Sequence, residues 1–200
     1  MSAAFGRDAL LDAFDRIGRA AVKAGTKLQI AVYGGSALML ASNFRFATED
    51  VDVSELERPL PDWLAVVVHE LAEQNRWRED WFNDGVAFHL SSIADRAADH
   101  LEFGTFPRDG TPAGLVVSVP SAEYLRALKL KAFRIMDPLR GEAERLDILM
   151  MRVVGISTIE DAMTLLGRYF PMSAVSSEKQ RFLLKNMNRE GGADAPKYPR

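Results

Sequence analysis

The residues of this chain best suited to chemistry sit close together near its start. "YGGSAL" occupies 33–38 and "TEDVDV" occupies 48–53. Gly34 and Gly35 follow the apolar run "LQIAV" and precede a second apolar stretch. A glycine pair there brings backbone close to a ligand with no Cβ in the way. A helix starting at that point aims unpaired N–H groups and its positive dipole end at the same spot, which suits a phosphate. Ser36 adds a hydroxyl and is a good N-cap residue. The pattern is neither a Walker A loop nor the dinucleotide-binding glycine motif. Asp50 and Asp52 stand two apart in "DVDVS", where acid and valine alternate. That is the period of a strand, so both carboxylates point to one face. Like charges that close repel unless a cation lies between them. A hard divalent ion such as Mg²⁺ (or Mn²⁺) takes oxygen ligands and shares its other positions with phosphates. The plainer reading is a solvated polar strand face with Val51 and Val53 turned inward.

Two later residues extend the set. Lys129 falls inside the apolar stripe of its helix, among Leu125, Phe133 and Met136. Asp147 falls likewise on the next helix, among Ala143, Met151 and Val154. Such residues are rarely buried unless paired. One reading is a buried Lys129–Asp147 ion pair, weak evidence for stability. The other is a cleft in which Lys129 faces phosphates, and the two are compatible. Lys131 and Arg134 lie on the far side of the helix and read as solvated cations. His69, His89 and His100 show no metal-binding spacing, and the absence of cysteine excludes disulfides, thiol chemistry and Cys-ligated zinc.

Several elements must position these residues. A 3.6-residue period predicts a helix over 5–24, with Gly25 as its C-cap. Residues 28–34 read as a buried strand, 36–42 as a helix, and 50–54 as a strand. Asp62 is a plausible N-cap for a helix over 62–77. "REDWFNDGVAFHL", 78–90, contains a turn signal but no clear element, and 93–103 is ambiguous. "GLVVSV", 114–119, reads as another buried strand. Helices follow over 123–136, 141–155, 158–169 and 176–188, and 189–200 reads as a flexible tail. The predicted class is α+β: a mixed-sheet core over 1–120, then a helical bundle over 121–188 packed on it.

Composition is that of an ordinary globular protein, with 48% apolar and 26% charged residues in 200. The net charge of −3 rules out a molecule held to nucleic acid by charge alone. Residues 1–120 hold 11 basic against 18 acidic side chains, and residues 121–200 hold 14 against 10. The C-terminal part is therefore mildly basic and suited to a polyanion, or simply carries solvated helix faces. No membrane-spanning run and no signal pattern are seen, so a cytoplasmic protein is expected.

G-G-S, a helix, and then T-x-D-x-D resembles the nucleotidyltransferase superfamily built on the DNA polymerase β-like palm. With "YLRALKLKAFR" and "RLDILMM" further on, the chain looks most like its AbiEii-type toxin branch, over about residues 28–155. "DWFND", 80–84, is similar to a stretch in small relatives of that branch. The resemblance implies a minimal nucleotidyltransferase-like mixed sheet followed by a helical bundle. It also implies metal-dependent transfer of a nucleoside monophosphate from an NTP to an acceptor: RNA (tRNA among them), a protein or a small alcohol. Gly34, Gly35 and Ser36 would then bind the phosphates, and Asp50 and Asp52 the Mg²⁺. Lys129 would neutralise triphosphate charge, and Asp147 would orient Lys129 or assist the acceptor. A cognate toxin or antitoxin protein is an implied partner. The superfamily usually places a third carboxylate on a later strand, and "GLVVSV" has none. Asp80, Asp84 and Asp147 are the candidates to replace it. Where relatives tend to carry an arginine four residues before the first aspartate, this chain has Phe46, with Arg45 beside it. A catalytically degenerate binding module, acting as one half of a toxin–antitoxin pair, is the competing expectation.

Overall fold

Apolar residues at three- and four-residue steps make the first helix, α1, Arg7–Lys23, with Leu10, Phe14, Ile17 and Ala21 buried along one side. Its chain reverses at Gly25, whose φ of +67° lies in the left-handed region that glycine adopts without a Cβ penalty. The structure, a computed structural model, describes residues 3–41, 47–54, 60–110, 112–132, 158–175, 178 and 181. The chain divides into two units, Met1–Leu90 with Ala94–Leu125, and Ser91–Ile93 with Arg126–Arg200.

The first unit is mixed α and β. Five strands form its sheet: β1 Leu28–Val32, β2 Val51–Ser54, β3 Phe82–Asn83, β4 His100–Phe106 and β5 Leu115–Pro120. Their spatial order is β3-β2-β1-β5-β4. β1 pairs antiparallel with β2 (Val32 against Val53) and parallel with β5 (Leu28 against Leu115). β2 runs parallel to β3, and β4 antiparallel to β5. Helices α2, Gly34–Ala41, and α3, Asp62–Asn75, belong to the same unit.

Strand alternation sorts the two faces of the sheet. Val51, Val53, Val32, Val117 and Val119 are buried and join one cluster with Phe14 and Ile17 of α1 and Leu64 and Val68 of α3. Each such side chain contributes roughly 1.5–3 kcal/mol by leaving water. Asp52, Ser54 and Ser118 alternate with these valines and therefore line the opposite face.

The stretch 78–90, which its sequence leaves unassigned, has a definite structure. Trp81 is fully buried, and its indole Nε1–H donates to the Val68 carbonyl at 3.0 Å. Phe5 packs on Trp77 and Trp81, with ring centroids 4.4 and 6.0 Å away. Short strand β3 follows, and then a 3₁₀ turn over Gly85–His89. Strand β4 likewise occupies part of the ambiguous 93–103. Helix α3 ends at Asn75 rather than 77, and Asp62 is its first residue rather than its cap.

Helix α4, Ala122–Ala132, begins in the first unit and continues into the second. In the second unit α5, Ile159–Tyr169, opens with a capping box: the Thr158 hydroxyl accepts from the Asp161 N–H at 3.0 Å, and Asp161 accepts from the Thr158 N–H at 3.2 Å. Short helix α6, Pro171–Val175, follows. The helix expected over 141–155, most of that over 176–188, and the tail lie outside the described residues.

Candidate functional site

The expected glycine turn is present, and its helix starts earlier than Ser36. α2 begins at Gly34, so Ser36 lies in the first turn instead of capping it. The cause is Gly34 itself, whose φ is +63°. A left-handed residue turns the chain sharply out of β1, and α2 starts at once. Ser36 is buried, and its hydroxyl donates to the Asp50 carbonyl at 2.7 Å. The helix start is thereby tied to the strand that carries the aspartates.

Asp50 and Asp52 are both half-buried, while Val51 and Val53 between and after them are fully buried. The alternation expected from "DVDVS" holds over β2, which begins at Val51 and not at residue 50: it turns Asp52 away from the valines, and Asp50 lies just ahead of the strand. Asp52 sits directly over the glycine turn. A Cβ placed on Gly34 would stand 2.5 Å from Asp52 Oδ2, so only glycine leaves that space to the carboxylate. The Tyr33 N–H donates to the Asp52 carbonyl at 2.8 Å, which fixes turn and acid in register. The Thr48 hydroxyl lies 3.1 Å from the Asp50 carbonyl and 3.3 Å from Asp50 Oδ1. Thr48 in turn pairs with Phe5 through two backbone hydrogen bonds of 2.8 and 3.0 Å. The site is thus anchored to the Phe5–Trp77–Trp81 aromatic cluster.

Chemically, the arrangement joins a half-buried helix start to the Asp52 carboxylate, with Asp50 two residues before it. Two carboxylates and a cradle that a Cβ would fill suit one hard cation whose remaining positions go to water or phosphate oxygens. Among the described residues no group of three or more His, Asp or Glu side chains could hold a metal. β5 supplies Ser118 where a third acid is expected. Opposite Ser118 in the register stands a carboxylate, Glu102 of β4. It stands three strands from Asp52, or about 14 Å at normal strand spacing, too far to share an ion with it. Asp80 is engaged elsewhere: Arg78 grips it in a bidentate pair, Nε to Oδ1 at 2.7 Å and Nη2 to Oδ2 at 2.6 Å. Those hydrogen bonds hold the Asp80 carboxyl below its usual range. They also raise the Arg78 guanidinium, first through the bond to Asp80, then through its charge, with smaller contributions from Asp50 and Glu49. Asp84 is half-buried and precedes the 3₁₀ turn.

Of the more distant candidates, Lys129 lies half-buried on α4 in the second unit. Its expected partner Asp147 lies outside the described residues. Lys131, expected to be solvated, is half-buried, with Nζ 4.3 Å from the centre of the Phe170 ring. Burial pushes its ammonium below the ordinary lysine range. The helix stripe is wider than its sequence period suggests, because Tyr124, Leu125, Ala127 and Leu130 are all buried.

Sequence reasoning gives no role to Arg78, or to the group around Tyr33. Arg78 carries a signal in retrospect, since an Arg-x-Asp pair one residue before a buried Trp is local. The Tyr33 group carries none, because its members come from the end of β1 and from β2, β4 and α4. No helix among the described residues is long and apolar enough to cross a membrane. Comparison with protein-family models, with curated proteins and with solved structures finds no match for this chain.

Proposed function

We propose that this chain is a nucleotidyltransferase-like protein of the cytoplasm that binds an NTP with Mg²⁺ (or Mn²⁺) through the Gly34–Ser36 turn and the Asp50/Asp52 pair. The observation that carries this reading is the apposition of Asp52 Oδ2 to Gly34 at the start of α2. The mixed order β2-β1-β5, with the glycine turn leaving β1, Asp52 on β2 and Asp50 just before it, also supports it. In this reading the α2 N–H groups cradle phosphate oxygens, as helix starts do, while the buried Ser36 hydroxyl, committed to the Asp50 carbonyl, holds the turn in place instead of touching the phosphate. Asp50 and Asp52 hold the cation. A bound divalent ion supplies Lewis-acid polarisation of the α-phosphate and charge neutralisation on the leaving pyrophosphate. The acceptor is RNA, a protein or a small molecule, in a toxin of a toxin–antitoxin or phage-defence pair.

A second reading is favoured by a specific observation. Asp80 is held by Arg78, and no third carboxylate joins Asp50 and Asp52 among the described residues. A protein with one cation position binds a nucleotide without turning it over, and it then acts as a binding module within such a pair. One experiment separates the two. The full chain is incubated with each α-labelled NTP, Mg²⁺ and total RNA or protein. Mg²⁺-dependent label transfer, abolished in Asp50→Ala and Asp52→Ala, establishes the enzyme. Mg²⁺-dependent NTP binding without transfer establishes the module. Binding that is unchanged in both variants sinks the site itself.

A further inference from the structure

The sheet face that carries Asp52 carries a second polar group, which the proposed function leaves unused. Tyr33 follows β1 and lies beside Asp52 in the register. Its hydroxyl is 2.8 Å from His100 Nε2 and accepts from the Ser54 hydroxyl at 3.3 Å. Ser54 is two residues after Asp52 and so shares its face. His100 belongs to β4, opposite Pro120, which continues the row from Tyr33 across β5. Tyr33 and Ser54 are buried, and the Tyr33, His100 and Tyr124 rings meet edge to face with centroids 5.6–6.5 Å apart.

His100 is held in an unusual way. Its Nδ1 is buried and has no hydrogen-bond partner among the described residues. Whichever tautomer forms, one ring nitrogen bonds to Tyr33 and the other is left unsatisfied. A buried unsatisfied polar atom destabilises a fold, and a leucine of similar size would not carry that penalty. What the imidazole supplies in return is a fixed partner for the Tyr33 hydroxyl. Tyr33 is directly bonded to Gly34, and its N–H holds the Asp52 carbonyl. A shift of its ring therefore moves both sides of the contact between turn and acid.

We infer that Tyr33 is a positioning residue of the Gly34–Asp52 site, fixed by His100 and Ser54, and that this anchoring sets cation affinity at a cost in stability. The inference rests on the cation-binding reading of that site. Stability and affinity should then move apart on substitution, which a merely structural role does not predict. Mn²⁺ binding to the full-length chain is followed by electron paramagnetic resonance, and thermal unfolding is measured on the same samples. His100→Leu removes the orphan nitrogen together with the bond to Tyr33. Its melting temperature should change little, because the loss of the orphan nitrogen is offset by the loss of the buried Tyr33 hydroxyl's bond to His100, while Mn²⁺ affinity falls about tenfold, as when a supporting partner of a metal ligand is lost. Tyr33→Phe should lose a similar factor. His100→Gln, which can still bond to the Tyr33 hydroxyl, should keep wild-type affinity. Asp15→Asn, in the distant ion pair with Arg108, should lower the melting temperature and leave affinity alone. Should His100→Leu not fold, Ser54→Ala carries the same affinity expectation. Wild-type affinity in His100→Leu and Tyr33→Phe, with binding lost in Asp52→Asn, overturns the inference and leaves the site standing. Unchanged binding in Asp52→Asn removes the site, and the inference with it.

Discussion

Gly34→Ala tests the centre of the site, because two separable effects meet there. The first is backbone strain. At a φ of +63° an alanine adopts the left-handed conformation, at about 1–2 kcal/mol. For a chain of this size that corresponds to a fall in melting temperature of about 2–8 °C. The second effect is displacement of Asp52. The new Cβ would stand 2.5 Å from Oδ2, so the carboxylate retreats. A retreat of about 0.5 Å already reaches the tolerance within which a binding site must be held. Gly25→Ala supplies the control. Gly25 has nearly the same φ, +67°, and nothing lies within 4 Å of its missing Cβ. It therefore carries the backbone term without the contact. Calorimetry of both variants should show similar losses from strain, with any excess in Gly34→Ala due to Asp52. Titration with Mn²⁺ should show a fall of about tenfold in Gly34→Ala alone, as for a metal ligand whose support is lost. Equal unfolding temperatures together with unchanged Mn²⁺ affinity in Gly34→Ala would refute the idea that the glycine exists to admit Asp52.

Other expectations concern the frame around the site. Trp81→Ala should destabilise the chain by about 3–5 kcal/mol, since it empties a large core position and orphans the Val68 carbonyl, and chemical denaturation will measure this. Thr158→Ala should cost about 1 kcal/mol by removing half of the capping box that opens α5, with no effect on Mn²⁺ binding. Asp15→Ala should cost about 1.5–3 kcal/mol, because Asp15 is buried and accepts from both the Arg108 backbone N–H and its guanidinium, at 2.7 and 2.8 Å. The Arg78–Asp80 pair gives a pH signature. Asp80 is depressed when folded, so its contribution is present above the ordinary carboxylate pKa and fades as pH falls through the lower folded value. Both partners are exposed, so the change in the acid limb of Asp80→Asn should be small and should vanish in high salt.

How much of this was written in the sequence depends on how local each feature is. The glycine turn was legible because its cause is two adjacent residues after an apolar run. The turning of Asp52 away from Val51 and Val53 is legible because a strand's period is two, whereas Asp50 lies just ahead of β2. The start of α2 was misjudged by two residues, since Ser36 looks like a cap while the left-handed Gly34 has already turned the chain. "DWFND" hid its role because Trp81 is buried partly by Phe5 and Val68, which are distant in the chain. Lys131 was read as solvated because a helical wheel shows its own helix and not Phe170. Lys129 and Lys131 are both half-buried, so the helical wheel does not separate them, and the expected partner of Lys129, Asp147, lies outside the described residues. His100 looked like one of three scattered histidines. Only the sheet order, with β4 at the far edge, brings it within reach of Tyr33.

That sheet order also has a consequence for how the chain comes off the ribosome. β1 finds its antiparallel neighbour β2 soon after, when Ser54 has been made. Its other edge waits for Leu115–Pro120. At about 5–20 residues per second, the intervening 60 or so residues take roughly 3–12 s to synthesise. Throughout that interval the strand leading into the glycine turn is an open edge that can recruit any other extended segment. Nascent chains halted before and after Pro120 should therefore differ sharply in how much they aggregate.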